Sequence, residues 1–330
     1  MSSLAPLLQE YFTTYLVGQR AASPTTIRTY RDSWRLFLTY LSGQIHKPAH
    51  ALDQQDIDER VVIAFLEHLE IDRHNSVATR NLRLASIKSV MAHAASKHPE
   101  ALDTIARIQA IPVKKQPRPD VTYLTDDAVQ ILLDGFETQS WIGRRDKAMF
   151  TLAAQTGLRI SELISLEIEN LCLAGTAPYV ECLGKGRKRR TTPLTQSTAA
   201  ILDAYLAERR HRPGTALFPN AKGTHLSPDA VTHRLHKHVE NAAVNCAELA
   251  SKHVTVHTLR HTAAMRFLAA GIDVSVIALW LGHEQTATTS IYLHADLHIK
   301  RQALERTRQL NSPAGEFHPD DPLLAWLESL

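Results

Sequence analysis

Cysteine is scarce in this sequence, and long apolar runs are missing from it. The three cysteines, Cys172, Cys182 and Cys246, form no C-x-x-C pair, which is typical of a reducing cytoplasm and not of a disulfide framework. No stretch reaches the roughly 18 consecutive apolar residues of a membrane span, and the first residues lack the basic and then apolar layout of a signal peptide. We therefore expect a cytoplasmic protein without a membrane partner.

Two kinds of ligand site are also missing from the sequence. It contains no G-x-x-x-x-G-K-[ST] loop, so it does not predict a P-loop for ATP. His257 and His261 have a spacing that suits a metal on a helix. No acidic residue lies between them to act as a base, and no third ligand stands out. The sequence predicts neither a metal nor a cofactor.

The numbers of basic and acidic residues are nearly equal. The formal net charge of +3 is too small to indicate nucleic-acid binding by itself. Five basic residues nevertheless fall within the six positions 185–190, and such a cluster can neutralise the phosphates of a DNA backbone. An ordinary solvated face is the alternative interpretation.

The length and the composition predict two folded domains. A chain of 330 residues, of which 44% are hydrophobic, can bury two separate cores. After the first third of the chain, the segment PVKKQPRPD holds three prolines, which cannot continue a helix and suit an extended linker. We predict a first domain at residues 1–110, a linker at 111–122, a second domain at 123–311 and a tail at 312–330.

Helical periodicity covers most of the first domain. Three residues of types that cap helix N-termini each precede an apolar pattern of helical spacing: Ser23, Asp56 and Ser76. We therefore expect four or five helices in a small bundle. The helix after Ser76 places basic side chains on its more polar faces, where they suit either a DNA backbone or an ordinary surface: Arg80, Arg83 and Lys88.

The second domain is predicted to be helical apart from one β-hairpin. Thr125 precedes two acidic residues, which indicates a helix start. Residues 179–183 and 190–194 flank a G-K-G turn and predict the two strands of the hairpin. Three glycines follow helical patterns and are predicted to end helices in the left-handed conformation: Gly157, Gly271 and Gly282.

Four motifs of the second domain together suit the cleavage of a phosphodiester. They are TGLRISEL at 156–163, GKGRKRR at 184–190, HTLRH at 257–261 and LGHEQTATTSIYLH at 281–294. The transition state gathers negative charge on the nonbridging oxygens, and the planar arginine fork binds phosphate oxygens in two places. Arg159 and Arg260 are therefore candidates for a phosphate clamp, and His257 falls on the same helix face as Arg260.

The same chemistry needs a nucleophile and an acid. Tyr292 is the candidate nucleophile, because a phenol with an ordinary pKa of about 10 attacks once a neighbouring base takes its proton. The departing 5′ oxygen needs a proton, which Lys185 at the hairpin tip is placed to supply. A core aromatic residue is the alternative interpretation of Tyr292, and Lys188 is the alternative to Lys185.

In identity, order and spacing, six residues resemble the signature of the tyrosine recombinase or phage integrase family, near its Xer branch: Arg159, Lys185, His257, Arg260, His283 and Tyr292. Residues 25–41 are also similar to that family's N-terminal helices. The resemblance implies a mainly α fold with a small β-hairpin or sheet. An N-terminal helical, SAM-like core-binding domain would precede a C-terminal catalytic domain.

The resemblance also implies a role for each signature residue. The scissile phosphate would be held by Arg159, Arg260 and His283. Tyr292 would attack, with His257 as its base and Lys185 as the acid for the 5′ oxygen. The resulting 3′-phosphotyrosine keeps the energy of the phosphodiester, so a 5′ hydroxyl from another duplex can reverse the step without a cofactor. The implied function is site-specific DNA recombination, in a setting that includes mobile genetic elements.

Double-stranded DNA with a specific recombination site is the partner that the resemblance implies. It also implies self-association to a dimer or tetramer on DNA, a second recombinase as a further candidate partner, and a nucleoid-associated place in the cytoplasm. Glu162 either orients Arg159 or is an ordinary acid on a helix surface. The contacts to the DNA backbone would be Arg187, Lys188, Arg189 and Arg190.

Two other functions share parts of this pattern. A type IB topoisomerase uses the same tyrosine chemistry to relax supercoils, and a noncatalytic DNA-binding protein can keep the fold alone. The N-terminal helices favour recombination over the first, and the complete set of six residues argues against the second. Chromosome dimer resolution, phage integration and transposition all remain open as the natural role.

The predicted tail carries a short apolar stripe. Asp321 and Pro322 form a helix start signal, and apolar residues follow at helical spacing: Leu323, Trp326, Leu327 and Leu330. A helix this short is marginal in water by itself. The stripe is therefore expected to dock, either on its own domain or, as the resemblance to the family favours, on a neighbouring protomer.

Overall fold

The computed structural model describes residues 4–115, 121–184 and 189–282. The chain divides into two compact units, Met1–Pro119 and Asp120–Leu330. Within the described residues the protein is mainly helical with one small sheet, so the predicted fold class is confirmed. No helix in this part of the chain combines the length and the apolarity needed to cross a membrane.

The first unit is built from helices joined by short turns. They are α1 (Leu4–Glu10), a π-helix (Tyr11–Gln19), α2 (Pro24–Ile45), α3 (Glu59–Ile71), α4 (Val77–Ala95) and α5 (Leu102–Ala110). Ser23 and Ser76 accept hydrogen bonds from the backbone N–H groups of Thr26 and Thr79, so both predicted N-caps are confirmed. Each such cap contributes about 1 kcal/mol to helix stability.

The start of α3 differs from the prediction. Asp58 caps this helix by accepting from the backbone N–H of Val61 at 2.8 Å. The carboxylate of Asp56 instead accepts from the Asp53 backbone N–H at 2.9 Å and from Lys47 Nζ at 2.7 Å. Asp56 therefore closes a short 3₁₀ turn (Gln54–Asp56), because these contacts outside the helix compete for its side chain.

Aromatic and aliphatic side chains fill the core of the first unit. Trp34, Phe37 and Phe65 are at most 2% exposed, and the Phe37 and Phe65 ring centroids lie 5.0 Å apart. Leu84 and Ile87 of α4 are fully buried in the same cluster. Each such side chain contributes about 1.5–3 kcal/mol on burial, which holds α2, α3 and α4 together.

The basic residues of α4 bind other parts of the same unit. Arg80 Nη1 donates to the Pro112 carbonyl at 3.0 Å, and Lys88 Nζ donates to the Ile111 carbonyl at 2.6 Å. Arg83 Nη1 donates to Ser33 Oγ of α2 at 2.8 Å. The prediction that Arg80 lies on an accessible polar face is wrong, because Arg80 is only 5% exposed. DNA contacts by Arg83 and Lys88 stay predictions.

The second unit surrounds a small antiparallel sheet with helices. The helices are α6 (Asp126–Asp134), α7 (Trp141–Thr156), α8 (Ile160–Ile164), α9 (Gln196–Arg209), α10 (Pro228–Ala243), α11 (Ala247–Ser251), α12 (Val256–Ala269) and α13 (Val274–Leu281). Thr125 caps α6 by accepting from the Ala128 backbone N–H, as predicted. The helix α7 is buried along most of its length and packs against α12 and α9.

The sheet contains the predicted hairpin and one further strand. Its order is β1 (Leu171–Cys172), β2 (Tyr179–Leu183) and β3 (Arg189–Pro193), all antiparallel. The observed β3 begins one position before the prediction, and Cys182 pairs with Arg190. The two-residue β1 was not predicted, because so short a strand has no alternation to detect.

Candidate active site

Left-handed glycines end the helices that surround the site. Gly157 after α7 and Gly282 after α13 both have φ of +65°, and Gly271 after α12 has φ of +78°, so all three predicted helix ends are confirmed. Glycine is also required at position 157 because there is no room for a side chain. A Cβ atom there would lie 2.7 Å from Leu281 Cδ2 and 3.3 Å from Ala263 Cβ. The end of α7 therefore lies directly against α12 and α13.

Arg260 joins these helix ends from inside the protein. It lies on α12 and is 2% exposed. Its Nη1 atom donates to the Gly157 carbonyl at 2.6 Å, and its Nη2 atom donates to the Leu281 carbonyl at 2.7 Å. Both acceptors lie at helix C-termini, where the dipole favours a cation. The plane of the guanidinium group is therefore fixed by two separate segments.

Arg159 is held by the next carbonyl of the same helix end. Its Nη2 atom donates to the Gly282 carbonyl at 2.9 Å, and its Nη1 atom donates to Glu162 Oε1 at 2.7 Å. The side chain is 32% exposed, so a ligand can reach it from solvent. Arg159 and Arg260 thus bind successive carbonyls at the end of α13, and we refer to this pair as the clamp.

Glu162 is a buried carboxylate that binds Arg159 of the clamp. It is 3% exposed, so its interpretation as a surface acid is wrong. Besides Arg159 Nη1, the carboxylate binds the Arg159 backbone N–H at 2.8 Å and Arg190 Nη2 at 2.9 Å. Charge-assisted bonds of this kind hold both partners in one geometry. Glu162 therefore orients Arg159, the other role that the sequence allowed.

His257 lies beside the clamp on α12. Its side chain reaches solvent on one side and packs against the His261 ring on the other. It precedes Arg260 by three residues, so the two share a helix face as predicted. The pKa of His257 is lowered below the ordinary value of about 6.5. The main cause is desolvation of the ring, and the positive charges of Arg260 and Arg159 are the smaller causes. The ring is therefore neutral near pH 7 and able to accept a proton.

His261 packs against His257 and was given no role by the sequence. The two ring centroids lie 4.2 Å apart. Burial, with smaller effects from His257 and Arg260, lowers the pKa of His261 to about 4. Within the described ranges, no group of three or more His, Cys, Asp or Glu side chains is placed to hold a metal ion.

Comparison with known proteins places both units in one family. Residues 122–298 match the Phage integrase family, and residues 9–98 match the Phage integrase, N-terminal SAM-like domain. A protein of Sinorhizobium fredii named as an integrase/recombinase (y4rC) is 44% identical over 329 residues, which are 100% of this chain and 99% of that protein. The chain belongs to the phage integrase family. It is a tyrosine recombinase.

Two further relatives support this assignment. A second Sinorhizobium fredii protein named as an integrase/recombinase (y4rD) is 34% identical over 78% of this chain and 92% of its own length. The crystal structure of XerH site-specific recombinase bound to difH substrate, a pre-cleavage complex, matches with a TM-score of 0.66 and 25% identity. That match covers 87% of this chain and 81% of the XerH chain. The predicted resemblance to the family, near its Xer branch, is confirmed.

Several signature residues of this tyrosine recombinase lie outside the described residues. They are Lys185, His283 and Tyr292. The predicted DNA contacts Arg187 and Lys188 and the predicted tail at 312–330 also lie outside the described residues. The segments on either side of 185–188 and the turn before His283 are described. A Cβ atom on Gly282 would collide with Arg190 Nη1, so the base of the β2–β3 hairpin lies against the turn that precedes His283.

The two described members of the basic cluster differ from each other. Arg189 is exposed on β3, whereas the side chain of Arg190 is 11% exposed and bonded to Glu162. The expected backbone contact is therefore unsupported for Arg190, because its guanidinium is directed inward. Sequence reasoning missed this contact because 28 positions separate Arg190 from Glu162. The available local signal was Glu162 at the third position of α8, where an acid commonly binds back to the residue before the helix.

Proposed function

We propose that this tyrosine recombinase exchanges DNA strands at a defined site through a covalent 3′-phosphotyrosine intermediate. The observation that carries the proposal is the clamp, in which two arginines bind successive carbonyls of one helix end with His257 beside them. Cations that are fixed before substrate arrives stabilise the charge that develops on a phosphate in the transition state. Each fixed donor is worth about 3–4 kcal/mol in that role.

The proposed cleavage step uses one nucleophile, one base and one acid. The Tyr292 oxygen forms a bond to phosphorus while the bond to the 5′ oxygen breaks. The phenol proton moves to neutral His257, and Lys185 supplies a proton to the departing 5′ oxygen. The remaining signature residue, His283, donates a hydrogen bond to the phosphate. A 5′ hydroxyl from a second duplex then reverses these steps and completes strand exchange.

The proposed partners are double-stranded DNA with a recombination site and further protomers of this chain. The XerH relative is named for a complex with its difH substrate, which supports DNA as the partner. A second recombinase is a further candidate, because Sinorhizobium fredii contains two relatives of this chain. The basic residues that suit backbone contacts in this assembly are Arg83, Lys88, Arg187, Lys188 and Arg189.

We also propose the domain limits given above, with the tail at 312–330 docking on the second domain. A groove of about 740 Å³ on this domain is lined by apolar side chains that include Met265, Phe267 and Trp280. Its chemistry suits the apolar stripe predicted for the tail. The tail can cover this groove in its own protomer or in a neighbouring protomer. An assay of assembly on DNA with two sites distinguishes these two arrangements.

A plasmid experiment tests the proposed function against a topoisomerase. Plasmids with two, one or no copies of the native site are incubated with the protein, and their topology and sequence junctions are determined. Recombination products from the two-site plasmid alone support the proposal. Relaxation of all three plasmids without new junctions would establish the topoisomerase activity instead.

A further inference from the structure

Arg190 has an environment unlike that of its neighbour in the basic cluster. Successive residues of a strand point to opposite faces, and here Arg189 is exposed while the Arg190 side chain is 11% exposed. Arg190 Nη2 donates to Glu162 Oε2 at 2.9 Å, and Nη1 occupies the space that a Cβ atom on Gly282 would need. This arginine therefore reaches the inside of the site from β3.

The charges around Glu162 explain why a second arginine is present. A carboxylate that is 3% exposed lies within 2.7 Å of Arg159 Nη1. With Arg159 as its only cationic partner, this buried anion would cancel the charge of the group proposed to hold the phosphate. Arg190 adds one positive charge to the same carboxylate. The group of Glu162, Arg159 and Arg190 then carries a net charge of about +1, since arginine stays protonated in proteins.

We propose that Arg190 is a positioning residue that balances the charge of Glu162, so that Arg159 keeps its orientation and the group of Glu162, Arg159 and Arg190 presents a net positive charge to the scissile phosphate. In this role Arg190 acts through Glu162 and Arg159 and makes no contact with the DNA backbone. The inference rests on the proposed role of Arg159. Through Arg190, strand β3 has a direct connection to the clamp.

A double-mutant cycle tests the charge-balance role. Arg190→Gln and Glu162→Gln are made singly and together, and the rate of covalent complex formation is measured at saturating DNA. Arg190→Gln is expected to slow cleavage about 10–100-fold, by analogy with the loss found when a group that orients a metal-binding residue is removed. In the Glu162→Gln background the same change is expected to cost under about threefold, because no anion remains to cancel the charge of Arg159. Equal penalties in both backgrounds would overturn the proposal.

DNA affinity as a function of salt separates this role from a backbone contact. The matched control is Arg189→Gln, which removes an exposed arginine from the next position of the same strand. It is expected to weaken binding and to reduce the log–log salt slope by about 1. Arg190→Gln is expected to leave both quantities near the wild-type values. If it lowers the slope as Arg189→Gln does, Arg190 is a DNA contact and the proposal is wrong.

Two further variants complete the test. Arg190→Lys keeps the positive charge and loses the planar guanidinium group. With rates compared per folded protein, it is expected to cleave faster than Arg190→Gln. Equal rates for the two variants would exclude charge balance. Arg159→Ala tests the underlying function separately. Full cleavage by Arg159→Ala would refute the clamp itself, whereas additive effects in the double-mutant cycle would refute only the role of Arg190.

Discussion

Replacing Gly157 with alanine tests whether the close packing of three helix ends forms the site. At φ of +65°, a Cβ atom costs about 1–2 kcal/mol from backbone strain. The Cβ would also lie 2.7 Å from Leu281 Cδ2 and 3.3 Å from Ala263 Cβ, and overpacking of this kind costs about 1–3 kcal/mol. We therefore expect the free energy of unfolding to fall by about 2–5 kcal/mol.

Gly271→Ala is the matched control for this variant. Gly271 has φ of +78°, and a Cβ atom there meets nothing within 4 Å, so only the backbone strain of about 1–2 kcal/mol applies. Both variants reduce the entropy of the unfolded chain equally. The difference between them therefore isolates the contact with α12 and α13.

Urea unfolding and single-turnover cleavage measure the two consequences. Gly157→Ala is expected to be about 1–3 kcal/mol less stable than Gly271→Ala. It should also cleave more slowly, on the order of 100-fold for a displacement of about 1 Å, because Arg260 binds the carbonyls of Gly157 and Leu281. Equal stability of the two variants would refute the packing argument.

Three other predictions concern the acid, the base and the tail. Lys185→Ala should regain cleavage on a substrate with sulfur at the bridging 5′ position, which leaves without a proton, and Arg260→Ala should not; equal rescue of both would remove Lys185 as the acid. Since the pKa of His257 is lowered, the wild-type cleavage rate should stay level from pH 7 to pH 6.5 and fall only at lower pH, measured as a pH–rate profile; a rate already halved at pH 6.5 would contradict a lowered pKa. Truncation after Ser312 should leave binding to one site intact and weaken cooperative assembly on two sites, and unchanged cooperativity and recombination would exclude docking between protomers.

Short-range hydrogen bonds made much of the fold predictable. Ser23, Ser76 and Thr125 each bind a backbone N–H three positions later, so the signal for a helix start lies within four residues of sequence. The left-handed glycines are equally local, because only glycine adopts that conformation without strain. Asp56 failed as a helix start because its carboxylate binds the Asp53 backbone N–H and Lys47, nine positions away.

Contacts between distant segments set the limit of prediction. The burial of Arg80 depends on the Pro112 carbonyl, 32 positions later in the chain. The charged contacts of Glu162, on α8, depend on Arg190 of β3 and on Arg159, which also binds the end of α13. The types of the clamp residues could be predicted from the chemistry of a phosphate, but their supporting contacts could not, since nothing local in the sequence indicates them.

Tyr292→Phe tests whether cleavage proceeds through a phosphotyrosine, because it removes only the proposed attacking oxygen. Wild-type protein is incubated with a nicked site-containing substrate, and the DNA-linked protein that survives denaturation is quantified on a gel. Tyr123→Phe, which removes a hydroxyl from a half-buried ring outside the proposed site, is the matched control. We expect Tyr292→Phe to bind the site with unchanged affinity and to form no covalent complex, while the control forms it normally. If Tyr292→Phe still forms the covalent complex, Tyr292 is not the nucleophile.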